Sequence, residues 1–130
     1  MISLHRRQSV ISQQHHLVVE VEADEVLEIP SDISLCLYRV AQEALSNSVK
    51  HGRTKRIAVQ LFQNAGMLRL IVKDEGIGFD LATSSNGLGL VSMRERLRMV
   101  EGTLTIILSP SQGTIIEAVV PQLGFSSTPR

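Results

Sequence analysis

The sequence predicts an α+β domain in which helices pack on one face of a largely antiparallel sheet. Three observations carry this. Segments with period-two alternation come as neighbouring pairs joined by short turns, residues 56–62 with 67–73 and residues 104–108 with 114–120. A segment with apolar residues at helical spacing precedes each pair. Hairpins with helices between them favour antiparallel pairing over the strict strand–helix alternation of a parallel sheet.

Residues 1–16 are polar with little periodicity and read as an irregular arm or junction. Residues 17–22 alternate, with Leu17, Val19 and Val21 on one face, and predict a strand. An acidic connection leads to Pro30-Ser31-Asp32, a helix start with Ser31 or Asp32 as the N-cap. The helix runs to Lys50 or His51 and ends at Gly52, a C′ glycine preceded by basic residues that complement the dipole. Leu37, Val40, Ala41, Ala44 and Leu45 form its apolar stripe. Glu43, Asn47 and Lys50 share a neighbouring polar side, being four and three residues apart.

Residues 56–62 and 67–73 make a hairpin around a turn at 63–66. Asp74-Glu75-Gly76-Ile77-Gly78-Phe79-Asp80 then breaks the pattern, and residues 81–86 are a small, polar loop. Gly87-Leu88-Gly89 leads into a second helix bearing Leu90, Met93, Leu97 and Val100, which Gly102 ends. Leu104, Ile106 and Leu108 mark the next strand, and Ile116, Ala118 and Val120 its returning partner. The domain is placed at 17–121, and residues 122–130 read as a flexible tail.

The 130 residues suffice for one domain with its own core. Thirteen basic and thirteen acidic residues cancel, which gives no electrostatic case for nucleic acid or an anionic membrane as a partner. Tryptophan is absent and aromatics are 3 %, so a base-stacking surface is not expected. The single cysteine, Cys36, falls on the apolar side of the first helix and reads as a buried, inert thiol. No apolar run reaches membrane-spanning length and no signal peptide opens the chain, so a cytoplasmic domain, monomeric by itself, is expected.

The chemistry concentrates in four places. Asp74 stands at a strand end directly before a glycine turn, where a carboxylate can accept from an exocyclic amino group of a base. Gly76 and Gly78 let backbone pass close to a flat ring. Gly87 and Gly89 precede a helix whose free N–H groups favour phosphate. Asn47 offers a carboxamide oxygen to a hard cation such as Mg²⁺, Lys50 a charge for the same phosphates, and Glu43 a base or water-orienting group. Neither Gly-x-Gly continues to a third glycine as a dinucleotide fingerprint does, and no Gly-Lys-Ser/Thr is present.

In this order the motifs resemble the ATP-binding catalytic domain of bacterial sensor histidine kinases, which shares its Bergerat-type two-layer α/β sandwich with gyrase, heat-shock chaperone and mismatch-repair ATPases. The N box resembles Glu43-x-x-x-Asn47-x-x-Lys50-His51, the first glycine box Asp74-x-Gly76-x-Gly78, and the second Gly87-Leu88-Gly89-Leu90 followed by Met93-Arg94-Glu95-Arg96. Gly113-Thr114 is similar to the Gly-Thr of the closing strand, whose threonine backs the adenine. The N box and the Met-x-Glu-Arg helix are most similar to the nitrate-sensor and membrane-fluidity-sensor subfamily. The resemblance implies Mg-ATP as ligand, with Asn47, Lys50, His51, Asp74, Gly76, Gly78, Gly87, Leu88, Gly89, Leu90 and Thr114 at the nucleotide, Asn47 on the metal and Glu43 catalytic. It implies transfer of the γ-phosphoryl group to a histidine of a dimerisation domain, and a response regulator further on.

Glu75 stands where the family often has Asp or Asn, and Val100-Glu101-Gly102 replaces a more usual double glycine. No histidine here is followed by an acidic residue, as the subfamily's phosphoacceptor is, so the chain reads as the catalytic domain alone. Alternative readings are a stand-alone ATPase or serine kinase of the same fold, and a non-enzymatic interaction module. His51 reads equally as a helix-end cap or a ribose or phosphate contact. Arg94, Glu95 and Arg96 read as a solvated face or as a nucleotide or partner contact.

Overall fold

The computed structural model describes residues 5–12, 17–24, 28–51, 56–75, 89–109 and 113–122. These form β1 (His5–Ser12), β2 (Leu17–Asp24), α1 (Ser31–His51), β3 (Arg56–Asn64), β4 (Met67–Asp74), α2 (Leu90–Arg98), β5 (Thr103–Ser109) and β6 (Gly113–Pro121). The strands make one sheet in the order β1-β2-β3-β4-β6-β5. Only β2 and β3 pair parallel, because α1 separates them in sequence and carries the chain back to the same end of the sheet. The other pairs are antiparallel, so the sheet is mixed and largely antiparallel, as expected.

Both helices lie on one face. Ile33, Cys36, Leu37, Val40 and Ala44 of α1 and Leu90, Met93 and Leu97 of α2 are buried in one cluster with Ile57, Leu68, Leu70, Val72, Leu104, Ile116, Ala118 and Val120 of the sheet. The helical stripes and the strand alternation meet there, which is why the two periodicities sufficed to foresee a two-layer packing. Cys36 is inside this cluster, and burial pushes its thiol pKa up, in keeping with an inert role. The opposite sheet face carries charged side chains, with Arg56 on Glu20 at 2.8 Å and Arg69 on Glu117 at 2.7 Å.

The structure departs from expectation at both ends. Residues 5–12 of the supposed irregular arm are strand β1, paired with β2 from Ser12↔Leu17 to His5↔Asp24. An edge strand takes its hydrogen bonds from a single neighbour and can be polar, so hydrophobic alternation does not reveal it. Gln122, assigned to a tail, is buried. Its N–H donates to the Gly66 carbonyl at 2.9 Å and its carboxamide to the Glu28 carbonyl at 3.3 Å. Residues 123–130 lie outside the described residues, as do Gly52 and the 81–86 loop.

Three local details also differ. The first helical bond of α1 runs from Ser34 N–H to the Pro30 carbonyl at 2.9 Å, so Pro30, not Ser31 or Asp32, holds the N-cap position. Asp32 sits in the first turn, where its charge suits the dipole. The β3–β4 turn is tighter than the four residues expected, because only Ala65 and Gly66 leave the strands, both at positive φ. At the end of α2 the left-handed residue is Glu101 (φ 62), while Gly102 returns its N–H to the Leu97 carbonyl at 2.7 Å. Gly102 is needed for space instead: a Cβ there would stand 2.9 Å from Val120 Cγ2 and 3.0 Å from the Val119 carbonyl.

The two positions should respond oppositely in urea unfolding. Glu101→Gly removes the left-handed penalty of a residue with a Cβ and should stabilise the fold by about 0.5–1 kcal/mol. Gly102→Ala should destabilise it by about 1–3 kcal/mol through overpacking.

Candidate functional site

The C-terminal half of α1 crosses the ends of β4 and β6. The buried stripe of Ile33, Leu37, Val40 and Ala44 continues into Asn47 and Ser48, which are 1 % and 3 % exposed. Asn47, expected on a polar side of the helix, thus sits at the polar end of the core stripe. Ser48 faces Asp74, the last residue of β4, which is itself only 2 % exposed. The Ser48 hydroxyl donates to Asp74 Oδ2 at 2.8 Å, and the Thr114 backbone N–H donates to Asp74 Oδ1 at 3.2 Å.

The Thr114 contact depends on Gly113. Asp74 and Thr114 are register partners between β4 and β6. Gly113 adopts φ 114, and a Cβ there would overlap the Asp74 carbonyl oxygen. Only glycine combines that conformation with that approach. Beside the carboxylate, Thr114 Oγ1 is buried without a hydrogen-bond partner among the described residues. An orphaned buried hydroxyl costs about 1–3 kcal/mol. A ligand with a polar edge at this point would remove that cost and meet the Asp74 carboxylate as well.

A second group lies up the helix. Glu43, one turn before Asn47, is half-buried and approaches Gly89, the N-cap of α2. Gly89 has φ 69, and a Cβ on it would stand 2.5 Å from Glu43 Oε2. The N-cap residue, Gly89, has no side chain to cap α2, and the first-turn N–H groups of the helix lie on the side where the Glu43 carboxylate lies. Next to Glu43, a cleft of about 310 Å³ opens between the helices, lined by Arg39, Gln42, Glu43, Ser46, Ser92, Met93 and Arg96.

The structure therefore groups Asp74 with Thr114 at one end of α1 and Glu43 with Gly89 nearer its middle, with Asn47 between them in the sequence. Leu90 is buried in the core. Lys50 and His51 belong to the last turn of α1 by their backbone, and their side chains lie outside the described part. Gly76, Gly78, Phe79, Gly87 and Leu88 also lie outside the described residues. Arg94 is exposed, and its guanidinium donates to the Leu104 carbonyl at 3.0 Å, which ties α2 to β5.

Ser48 is the residue that sequence reasoning missed. Its signal was a polar residue in core register, four residues after Ala44 on the buried stripe. Arg39 carries no comparable signal, because nothing in the sequence places α2 alongside it.

Comparison with known proteins gives a consistent result. A family profile described as "Histidine kinase-, DNA gyrase B-, and HSP90-like ATPase" matches residues 32–124. The chain is 36 % identical over 93 residues to the signal transduction histidine-protein kinase/phosphatase DegS of Brevibacillus brevis, covering 71 % of this chain and 24 % of that protein. It is 40 % identical over 86 residues to the histidine-protein kinase/phosphatase UhpB of Salmonella typhimurium, covering 66 % of this chain and 17 % of that protein. Among solved structures, the blue-light activated histidine kinase of Erythrobacter litoralis shares the fold with a TM-score of 0.67 at 24 % identity, over 84 % of this chain and 36 % of that one. The chain thus spans about a quarter or less of these two curated relatives.

Ser48→Ala removes one hydrogen bond to a buried carboxylate. Urea unfolding should show a loss of about 1–3 kcal/mol with an unchanged far-ultraviolet dichroism spectrum.

Proposed function

The chain belongs to the family of histidine kinase-, DNA gyrase B- and HSP90-like ATPases, and from that premise we propose that it is the catalytic domain of a sensor histidine kinase, binding Mg-ATP and donating the γ-phosphoryl group to a histidine on a dimerisation domain. The observation that carries the reading is the buried Asp74 carboxylate, positioned by Ser48 and Thr114, with the orphaned Thr114 Oγ1 beside it. An adenine edge offers an exocyclic amino donor to Asp74 and a polar ring atom to the Thr114 hydroxyl.

Seated there, the nucleotide runs along α1 with its phosphates toward Glu43, Gly89 and the N-terminus of α2, where N–H groups favour anions. By their motifs, Gly76, Gly78, Gly87 and Leu88 are assigned to the nucleotide as well, and Lys50 and His51 to its charge or hydrogen-bonding groups. Asn47 and Glu43 are oxygen donors one turn apart, a set that fits Mg²⁺. Mg²⁺ takes most of its ligands from water and phosphate, so two protein oxygens can suffice. Bound there, Mg²⁺ would neutralise phosphate charge.

In phosphoryl transfer the protein contributes mainly positioning and charge stabilisation. Glu43 is placed to orient the attacking imidazole or take its proton. The acceptor domain, and through it a response regulator, are the partners of this reading. The Gln42-Glu43-Ala44-Leu45-Ser46-Asn47 run, with Lys50-His51 after it, supports the nitrate-sensor and membrane-fluidity-sensor group. No helix among the described residues is long and apolar enough to cross a membrane, and the domain would work on the cytoplasmic side.

Calorimetric titration tests the reading. The unmodified chain should bind Mg-ATP, and Asp74→Asn should abolish that binding while circular dichroism reports a folded protein. Unchanged affinity in Asp74→Asn would mean that this carboxylate does not read the base. Asn47→Ala should remove the dependence of ATP affinity on Mg²⁺, and a persistent dependence would place the metal elsewhere.

A further inference from the structure

The cleft between α1 and α2 is built for an anion. Arg39 enters it from α1 and Arg96 from α2, with the hydroxyl-bearing Ser46 and Ser92 between them. Arg56 and Arg69 are committed elsewhere, to glutamates of the sheet, and Arg94 to a backbone carbonyl. Neither Arg39 nor Arg96 forms an ion pair among the described residues. Two guanidinium groups against the single Glu43 carboxylate leave the cleft net positive. Guanidinium forks match the tetrahedral oxygens of a phosphoryl group.

Its position along α1 identifies the occupant. Ser48 marks the level of Asp74, and Arg39 lies about 13 Å further along the helix at 1.5 Å per residue. Glu43 and Gly89 lie between the two. The base and terminal phosphate of an extended nucleoside triphosphate are likewise at opposite ends of the molecule. We propose that the α1–α2 cleft seats the terminal phosphoryl group of the nucleotide, and that Arg39 and Arg96 make the domain discriminate nucleoside triphosphates from diphosphates. The proposal rests on the nucleotide reading given above and adds two specificity residues outside its motifs. A diphosphate held by the same base pocket leaves the cleft to water, so the arginines contribute to the affinity of one nucleotide and not the other.

Titration calorimetry with Mg-ATP and Mg-ADP separates the possibilities. Arg39→Gln and Arg96→Gln should each weaken Mg-ATP by about tenfold or more and leave Mg-ADP within about twofold, so that the preference for triphosphate collapses. Arg39→Lys and Arg96→Lys, which keep the charge and lose the fork, should fall between. Both side chains are exposed, and circular dichroism should report an unchanged fold. Equal weakening of both nucleotides, or no change in either, overturns the proposal while the base-pocket reading stands. Failure of the unmodified chain to bind either nucleotide takes down both.

Discussion

A buried carboxylate has few stable settings, and Asp74 occupies one of them. At 2 % exposure it has lost nearly all contact with bulk water, and such a group is tolerated only where donors replace hydration. Here the donors come from two different elements, a hydroxyl of α1 and a backbone N–H of β6. The carboxylate therefore fixes how the helix layer sits over the sheet as well as what the pocket can bind. Hydrogen bonds to a charged group are worth about 1.5–3 kcal/mol each, enough to make this corner a structural anchor and not only a recognition point. Gly113 permits the arrangement by letting β6 close on the Asp74 backbone.

The helix α1 divides its circumference among three tasks. One stripe packs on the sheet, its last turns place Asn47 and Ser48 at the end of β4, and its outer flank turns Arg39 and Glu43 toward α2. Because one rigid element carries all three, the spacing between the base end and the cleft is set by helical rise and not by loop geometry. The opposing wall, α2, is held by its own buried residues and by Arg94 on the Leu104 carbonyl. Gly102 lets the end of that helix approach β6. The cleft is thus bounded by two elements tied to one sheet, which is the support a site requiring sub-ångström placement needs.

The contact between Gly89 and Glu43 joins these tasks. A side chain on Gly89 would displace the carboxylate, so a glycine that in the sequence precedes a helix whose N–H groups favour phosphate also leaves space for Glu43. Gly113 is a similar case at the other end of the site. Both requirements come from atoms distant in sequence, so the glycines are visible in the chain but not their full cause.

The sequence by itself determined the layer architecture, because hydrophobic periodicity is a local property and both periods point to a shared buried face. It also determined the family motifs, whose residues are short-range patterns around Asn47, Asp74 and Gly89. It left β1 unseen, since an edge strand is specified by its neighbour's open hydrogen bonds and not by its own apolar residues. It left Gln122 in a tail, since its partners Gly66 and Glu28 lie far away in the chain. Tertiary structure alone decided that Ser48 holds Asp74, that Thr114 keeps a buried hydroxyl without a partner among the described residues, and that Arg39 meets Arg96 across a cleft. Each of these is a contact between separate elements, and such contacts depend on how helices settle on the sheet, which no local pattern encodes.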